Sequence, residues 1–381
     1  MRVALVAGPD AGHAIPAIAL SKRFVESGHE AVLFTGERWF DIVVPGVTVA
    51  PLEGLTPRPQ DNDGDAGSKI HARAAHIASL LLPGLSALLP DLVVSDVITA
   101  GGGMAAERLG IPWVELSPHP LYLPSRGLPP IGSGLEVGTG LRGRARDVVL
   151  RGLTARSLRQ GERERSAARV GIGLQARDPG PNARLIATVP ALEVPRPDWP
   201  ANAHVVGPLH WEPTDIVLEP PPGDGPLVMV APSTATTGVV GMLDAVCEGL
   251  GGLGMRVVAT MLDPSGQALP DWAVAGQGRQ DVLLHDADVV VCGGGHGMLA
   301  KALSAGVPAV IVPGEGDQWE LANRAARQGS AVVVRPLDAV AVRNAVETIL
   351  AEPRFAEAAR RAAVTAMDVQ DPVAVCLDAV R

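Results

Sequence analysis

The sequence predicts two doubly wound α/β domains arranged in tandem. In each half of the chain, short apolar runs alternate with segments of helical periodicity, which is the pattern of a parallel sheet with helices on both faces. A stretch dense in Pro and Gly separates the two halves, as in a linker between domains. The chain has 381 residues, which suits two domains at roughly 150 residues or somewhat more for each.

The first alternating series lies within residues 1–212. Residues 3–7 form a continuous apolar run, as expected of a parallel strand covered on both faces. A loop rich in helix-breaking residues follows and leads into a helix that is expected to end at about Ser27, where Gly28 suits the C-cap. The remaining strands are predicted at residues 31–34, 91–96 and 112–116, and a further helix at 101–109.

Two segments of the first half do not fit this alternation. Between residues 118 and 140 no period holds, and a long loop of this kind is more often functional than a mere connection. Residues 141–170 have helical character with nine Arg against three acidic residues. This helix is either a solvated face whose Arg side chains cover apolar surface with their aliphatic parts, or a docking face for an acidic partner.

The linker is assigned to residues 213–225 and the second domain to residues 226–365. The second series has predicted strands at 227–231, 256–260, 289–291 and 309–312, and predicted helices at about 239–250 and up to residue 305. Residues 366–381 are expected to form a C-terminal helix that packs back on the first domain. Because ligands of such sheets bind beyond the carboxyl ends of the strands, two facing sheets would enclose a cleft for two substrates.

Composition argues against several classes of protein. A net charge of −9 and an aromatic content of 3% are unsuited to binding nucleic acid. Three cysteines cannot build a disulfide framework, which favours a reducing compartment. No run reaches the ~18 apolar residues of a membrane span, and the first apolar run is too short for a signal peptide. We therefore expect a soluble, cytoplasmic protein without a nucleic-acid partner.

A glycine-rich loop is the strongest candidate for a phosphate site. Residues 292–297 read Cys-Gly-Gly-Gly-His-Gly, directly after a predicted strand and at the start of a predicted helix. Glycine lets the backbone approach a bulky anion, and the free N–H groups of a helix start supply donors and a positive dipole end. We assign phosphate binding to this glycine loop, whose members are Gly293, Gly294, Gly295, His296 and Gly297.

Polar side chains at other strand ends supply further candidates. Asp317 and Gln318 close the loop after the strand at 309–312, and a carboxylate beside an amide suits a polyhydroxylated ring. His13 follows the first strand, and Asp96 ends another strand of the same predicted sheet. A histidine oriented by a carboxylate can deprotonate a hydroxyl at neutral pH. Taken singly, each residue could equally be a solvated side chain or the first residue of a helix.

No segment has the pattern of a metal or dinucleotide site. Residues 61–65 begin like a calcium-binding loop, but Ala66 and Ala72 stand where that loop needs Gly and Glu. Residues 249–254 spell a dinucleotide fingerprint, yet they follow a predicted helix and precede a predicted strand, which reverses the required order. We therefore expect neither a metal ion nor a dinucleotide cofactor.

Together these segments resemble the family-1 inverting glycosyltransferases of the GT-B fold, especially bacterial enzymes that act on natural products. Residues 12–16, Gly-His-Ala-Ile-Pro, are similar to the family's Gly-His-x-x-Pro, and residues 90–96 with 105–112 to its Asp-bearing segment. Residues 206–209 are similar to a signature ahead of the family's linker, and residues 282–318 to its donor-binding stretch. The resemblance covers nearly the whole chain.

The resemblance implies a role for each candidate. His13 would be the general base and Asp96 its supporting carboxylate. The donor, a UDP- or dTDP-sugar, would be bound without a metal by the glycine loop together with Ser233, Thr234, Asp317 and Gln318. The acceptor would be a hydroxyl of a small natural-product-like molecule, and the oligomeric state is left open between monomer and homodimer.

Three departures from the family pattern keep alternatives open. Gly293 stands where the family has His, and His296 is expected to replace that His in part by donating to the diphosphate. Residues 277–280, Gln-Gly-Arg-Gln, replace a Trp-Val-Pro-Gln whose Trp stacks on the base, and residues 232–234 keep two hydroxyls but not the usual Gly. The alternatives are a lipid-acceptor transferase or nucleotide-sugar epimerase of the same fold, or a non-catalytic helper that binds sugar nucleotides.

Overall fold

A computed structural model describes residues 1–42, 44–56, 66–234, 238–264, 266 and 268–381, and of residues 66–69 it describes the helical backbone only. Two separate parallel sheets, one of seven strands and one of six, confirm the predicted fold class. The acidic segment 61–65, which begins like a calcium loop, lies outside the described residues.

In the first sheet, the order in which the chain adds strands reverses near the centre. Its strands are β1 (Arg2–Val6), β2 (Glu30–Thr35), β3 (Val47–Pro51), β4 (Leu92–Asp96), β5 (Trp113–Ser117), β6 (Ala183–Ile186) and β7 (Ala203–Val205). Its helices are α1 (Ala11–Glu26), α2 (Ala66–Leu88), α3 (Gly101–Leu109) and α4 (Gly140–Gly171). The strand order is β3-β2-β1-β4-β5-β6-β7. The chain therefore reverses its direction of travel between β1 and β4, and such a switch point opens a crevice at the carboxyl ends of the two strands.

The second sheet repeats this arrangement. Its strands are β8 (Leu227–Ala231), β9 (Arg256–Thr260), β10 (Ala273–Gly276), β11 (Val289–Cys292), β12 (Ala309–Ile311) and β13 (Ala331–Val333). The helices are α5 (Met242–Leu250), α6 (Gln280–Asp286), α7 (His296–Ser304), α8 (Asp317–Gln328), α9 (Ala339–Ala351), α10 (Arg354–Met367) and α11 (Pro372–Asp378). With the order β10-β9-β8-β11-β12-β13, the switch point lies between β8 and β11.

Central strands follow the sequence prediction more closely than edge strands do. Each predicted strand is present, and β8 and β9 have the predicted bounds. The five strands that the sequence analysis did not predict are β3, β6, β7, β10 and β13, of which all but β6 are edge strands. An edge strand is covered less completely, and the edge strands β7, β10 and β13 have only three or four residues, so their apolar runs are too short to be recognised as strands. In β10, for example, no residue is fully buried.

The chain crosses between the two sheets more than once. Val189 and Leu192, which follow β6, are buried in the core of the second sheet. In the opposite direction, Val373 and Cys376 of α11 are buried in the core of the first sheet. Residues 366–381, predicted as one helix, comprise the end of α10, a short connection, the seven residues of α11 and three residues after it. The two cores are thereby tied together at segments far apart in sequence.

The Arg-rich helix α4 is anchored at its C-terminal end and largely exposed elsewhere. Arg169 is buried there and its Nη2 donates to Glu107 at 2.6 Å. Leu141, Val149 and Leu153 are exposed on the same helix. Neither α4 nor any other helix in the described part of the chain combines the length and the apolar character that a membrane span requires.

The long loop after β5 bonds to the second domain through its residues 128–137, which we call the strap. Gly134 N donates to Glu320 at 2.9 Å, and Arg327 donates to Gly134 O at 2.8 Å. Trp319 Nε1 also approaches Ser133 O at 3.4 Å. All three partners of the strap belong to α8, so a loop of the first domain holds a helix of the second.

We expect Gly134→Ala to lower the free energy of unfolding by about 1–3 kcal/mol. Gly134 has a φ of +65°, and a Cβ there would overlap the Trp319 indole. Gly132→Ala is the matched control, because Gly132 also has a positive φ, of +83°, but open space around its Cα. Thermal unfolding monitored by circular dichroism measures both variants. Equal losses would show that the close contact with α8 contributes nothing.

Candidate active site

His13 and Asp96 meet at the switch point of the first sheet. His13 lies in the first turn of α1 and Asp96 is the last residue of β4, so both reach the carboxyl edge of neighbouring strands. His13 Nδ1 lies 2.7 Å from Asp96 Oδ1. Because a carboxylate only accepts hydrogen bonds, Nδ1 carries the proton, and Nε2 of the neutral ring keeps the lone pair that can take up another.

Hydrogen bonds hold Asp96 in place, and Asp96 in turn raises the pKa of His13. Asp96 is buried, and its Oδ2 accepts from Ile98 N, Thr99 N and Thr99 Oγ1 at 3.2, 3.1 and 3.1 Å. Burial lowers the pKa of His13, but the charge and hydrogen bond of Asp96 outweigh it, and the pKa is raised above 6.5. The His13 side chain remains 19% exposed. It can therefore be reached by a ligand, and Asp96 makes it a stronger base than a free histidine.

The glycine loop lies at the switch point of the second sheet. Gly293, Gly294 and Gly295 connect β11 to α7, and Ser233 follows the adjacent strand β8. A Cβ at Gly293 would lie 2.9 Å from Ser233 Cβ, closer than side chains approach one another. The histidine that the resembled family carries at this position has no room here. Close packing of the two loops therefore accounts for the glycine.

His296 begins α7 and faces the first domain. Its Nε2 lies 2.8 Å from Thr188 Oγ1, which belongs to the segment after β6. Burial, with smaller contributions from His119 and His210, lowers the pKa of His296 to about 3. The ring is therefore neutral and bridges the two domains at the point where the glycine loop begins its helix.

Asp317 and Gln318 occupy different environments although they are adjacent. Gln318 is buried; its Oε1 accepts from Gly314 N at 2.9 Å and its Nε2 donates to Ser233 Oγ at 3.1 Å. Asp317 is exposed at the start of α8, and its charge raises the pKa of His13. The Gln318 amide thus fastens the loop after β8, whereas Asp317 lies near enough to His13 to act on its pKa. Thr234, the remaining candidate, is exposed beside Ser233.

The structure adds two residues that the sequence analysis did not single out. His119 and Tyr122 belong to the long loop after β5, and their rings stack with centroids 4.4 Å apart. The His119 ring is also edge-on to that of His13, at 6.4 Å. The only sequence signal was their place in an irregular segment behind a strand. Both residues follow β5, which lies beside β4 in the sheet, so their place after a central strand is the same kind of signal that identified His13.

Among the residues that the structure describes, no group of three or more His, Cys, Asp and Glu side chains is arranged to hold a metal ion. His13, His119 and His296 are near enough to influence one another electrostatically, yet Nδ1 of His13 and Nε2 of His296 are engaged with protein atoms.

Known proteins resemble both the sequence and the fold. Residues 258–380 match the family described as erythromycin biosynthesis protein CIII-like, C-terminal domain. The 4'-demethylrebeccamycin synthase of Lentzea aerocolonigenes is 29% identical over 418 residues, covering 97% of this chain and 98% of that protein. The L-demethylnoviosyl transferase of Streptomyces niveus is 28% identical over 352 residues, covering 87% of this chain and 84% of that protein.

Solved structures show the same architecture. The glycotransferase of kitacinnamycin aligns with a TM-score of 0.73 at 21% identity, over 96% of this chain and 94% of that one. The glycosyltransferase SsfS6 of Streptomyces sp. SF2575, complexed with thymidine diphosphate, aligns with a TM-score of 0.69 at 23% identity, over 99% of both chains. The proteins that are similar in sequence and those that are similar in structure include sugar-transfer enzymes in both cases. Residues 258–380 thus match the EryCIII-like C-terminal domain family, and the whole chain has the GT-B fold of the glycosyltransferases that it resembles in structure.

Proposed function

We propose that the protein transfers a sugar from a thymidine or uridine diphosphate sugar to a hydroxyl of a small natural-product-like acceptor, with inversion at the anomeric carbon. The observation that carries this proposal is the His13–Asp96 pair, which lies on the wall of the first domain while the glycine loop lies at the matching edge of the second. A base and a leaving-group site on opposite walls suit a single displacement, in which the acceptor enters on the face opposite the departing diphosphate.

In the proposed reaction, His13 Nε2 takes the proton of the acceptor hydroxyl as its oxygen bonds to the anomeric carbon. The bond between that carbon and the diphosphate oxygen breaks at the same time. Asp96 stabilises the imidazolium that forms, and N–H groups at the start of α7 balance the charge that develops on the diphosphate. In this scheme Asp317 binds hydroxyl groups of the sugar. No metal ion is required in this scheme.

The donor site is tested by binding of thymidine diphosphate and uridine diphosphate in the presence of a chelator. We expect a thermal shift that corresponds to about 2.7 kcal/mol at a ligand concentration 100 times the Kd. Thymidine diphosphate is the first choice because the structurally similar SsfS6 was solved in complex with it. Binding that disappears with the chelator would contradict the proposal.

Two variants, His296→Ala and Thr188→Val, test whether His296 contacts the diphosphate of the nucleotide. If His296 donates to the diphosphate, its loss should weaken binding roughly fivefold, which is one hydrogen bond of about 1 kcal/mol. Thr188→Val is the control, because it removes only the hydrogen bond between Thr188 and His296 that joins the domains. Equal affinities of wild type and His296→Ala would refute the contact.

We expect sugar transfer to fall as the pH decreases through the pKa of His13. A general base acts in its neutral form, and burial is outweighed by Asp96 so that the pKa lies above 6.5. Asp96→Asn removes the anion that favours the imidazolium, so the midpoint of the acid limb should move to lower pH. A pH profile of kcat/KM shows both effects, and an acid limb with the same midpoint in Asp96→Asn would contradict the assignment of His13.

A further inference from the structure

We propose that His119 is a specificity-determining residue whose Nε2 accepts a hydrogen bond from a second O–H or N–H group of the acceptor, next to the hydroxyl that reacts. This inference rests on the proposed function, in which that hydroxyl is bound at His13. It narrows the acceptor class to molecules that carry two neighbouring hydrogen-bond donors.

The topology brings His119 to the reacting edge. Strands β1, β4 and β5 are neighbours in the first sheet, so the segments at their carboxyl ends lie side by side. These segments carry His13, Asp96 and His119, respectively. The ring centroids of His13 and His119 are 6.4 Å apart with an interplanar angle of 80°. Neighbouring substituents of one small molecule can therefore reach both rings from the cleft.

Hydrogen bonding determines which nitrogen of His119 is available. Its Nδ1 lies 2.8 Å from Pro120 O, and a carbonyl oxygen can only accept. Nδ1 therefore carries the proton and Nε2 the lone pair. Burial lowers the pKa of His119, which keeps the ring neutral near pH 7. No described group of the protein hydrogen-bonds to Nε2, and the residue is only partly buried.

Packing holds this acceptor atom in a defined direction. The Tyr122 ring stacks on His119 at 4.4 Å with an angle of 18° between the planes. On Tyr122 lies the guanidinium of Arg324, 5.6 Å from the ring centroid. Arg324 is itself buried and bonded to Glu320 and Leu192 O. A side chain that is oriented before binding loses little entropy when a ligand bonds to it.

The position of His119 assigns it to the acceptor and not to the nucleotide. The glycine loop and Ser233 belong to the second domain, whereas His119 shares the wall of the first domain with the base. A neutral nitrogen that only accepts is also a poor partner for a diphosphate, which offers acceptor oxygens. A ligand with a donor group beside its reacting hydroxyl satisfies the lone pair.

Two fluorescent probes that differ by one hydroxyl test the inference by binding alone. These are 7-hydroxycoumarin and 6,7-dihydroxycoumarin, titrated into the full-length protein with saturating thymidine diphosphate. We expect the wild type to bind the dihydroxy probe about tenfold more tightly, equivalent to about 1.4 kcal/mol. His119→Phe keeps the stacked ring but lacks the lone pair, so the preference should disappear.

His119→Gln is the matched rescue variant. Both substitutions lose the bond to Pro120 O, but only Gln can place an acceptor oxygen near the position of Nε2, so it should restore most of the preference. Tyr122→Phe preserves the stacked ring and should behave as wild type does. The Kd of thymidine diphosphate checks that each variant is folded.

Three results would overturn the inference: a preference that survives in His119→Phe, equal binding of the two probes by the wild type, or no binding of either. Because the readout does not need turnover, an intact preference in a protein that transfers no sugar would refute the proposed function alone. Conversely, sugar transfer without any preference would refute only the role of His119.

Discussion

His13→Ala is expected to lower the turnover for sugar transfer by roughly 10²–10⁴-fold, the usual contribution of a general base. The Kd of thymidine diphosphate should change little, because the nucleotide is assigned to the glycine loop of the other domain. Product formation from a labelled donor measures the first effect and calorimetry the second. Slow hydrolysis of the donor, in which water replaces the acceptor, serves as the assay until an acceptor has been found.

Asp96→Asn provides the internal control for this prediction. It should also impair turnover, but adding it to His13→Ala should cost little more, because residues that act as one unit are not additive. Additive losses would mean that Asp96 acts independently of His13. Wild-type turnover in His13→Ala on a genuine acceptor would rule out the mechanism and favour the alternative in which the protein is a non-catalytic helper.

Lys301→Met is expected to destabilise the protein by up to about 3–5 kcal/mol, because it leaves the largely covered Glu212 carboxylate without its cation. Lys301 Nζ donates to Glu212 Oε1 at 2.6 Å and to Gln280 Oε1 at 2.9 Å. Gln280 N in turn donates to Glu212 Oε2 at 3.1 Å. The cluster joins the helix of the glycine loop to the connection between the two sheets. Urea unfolding followed by circular dichroism measures the loss.

The double variant Lys301→Met, Glu212→Gln separates the two contributions. It should recover most of the lost stability, since neither buried charge remains unpaired. A single variant Lys301→Met that unfolds at the wild-type urea concentration would show that the cluster is not needed for stability. In that case, the effect of Lys301→Met on nucleotide binding can be measured in a protein whose stability is unchanged.

Much of the fold followed from local pattern. Strands such as β8 and helices such as α3 have the predicted bounds because a buried parallel strand must be apolar throughout and a helix must end where its period is broken. His13 and Asp96 could be paired in advance for a related reason. Each lies at the carboxyl end of a predicted central strand, and central strands of a doubly wound sheet bring those ends together.

Edge strands and the ends of the chain were beyond this reasoning. β7 and β10 are short and partly exposed, so they contain too few residues to show a recognisable hydrophobic period. The return of α11 to the first sheet was predicted, but its seven residues carry too short a pattern to set their bounds.

The sequence by itself determined the fold class, the candidate base, the candidate carboxylate and the glycine loop, because each of these features is carried by one strand and the loop that follows it, and the rule for central strands then paired His13 with Asp96. Only the tertiary structure decided how Gly293 is covered by Ser233, how Gln318 is committed to that loop, and how His119 stands beside His13. These contacts join residues separated by 60 to over 100 positions. Local periodicity carries no information on such pairs, which are set by the packing of whole elements against each other.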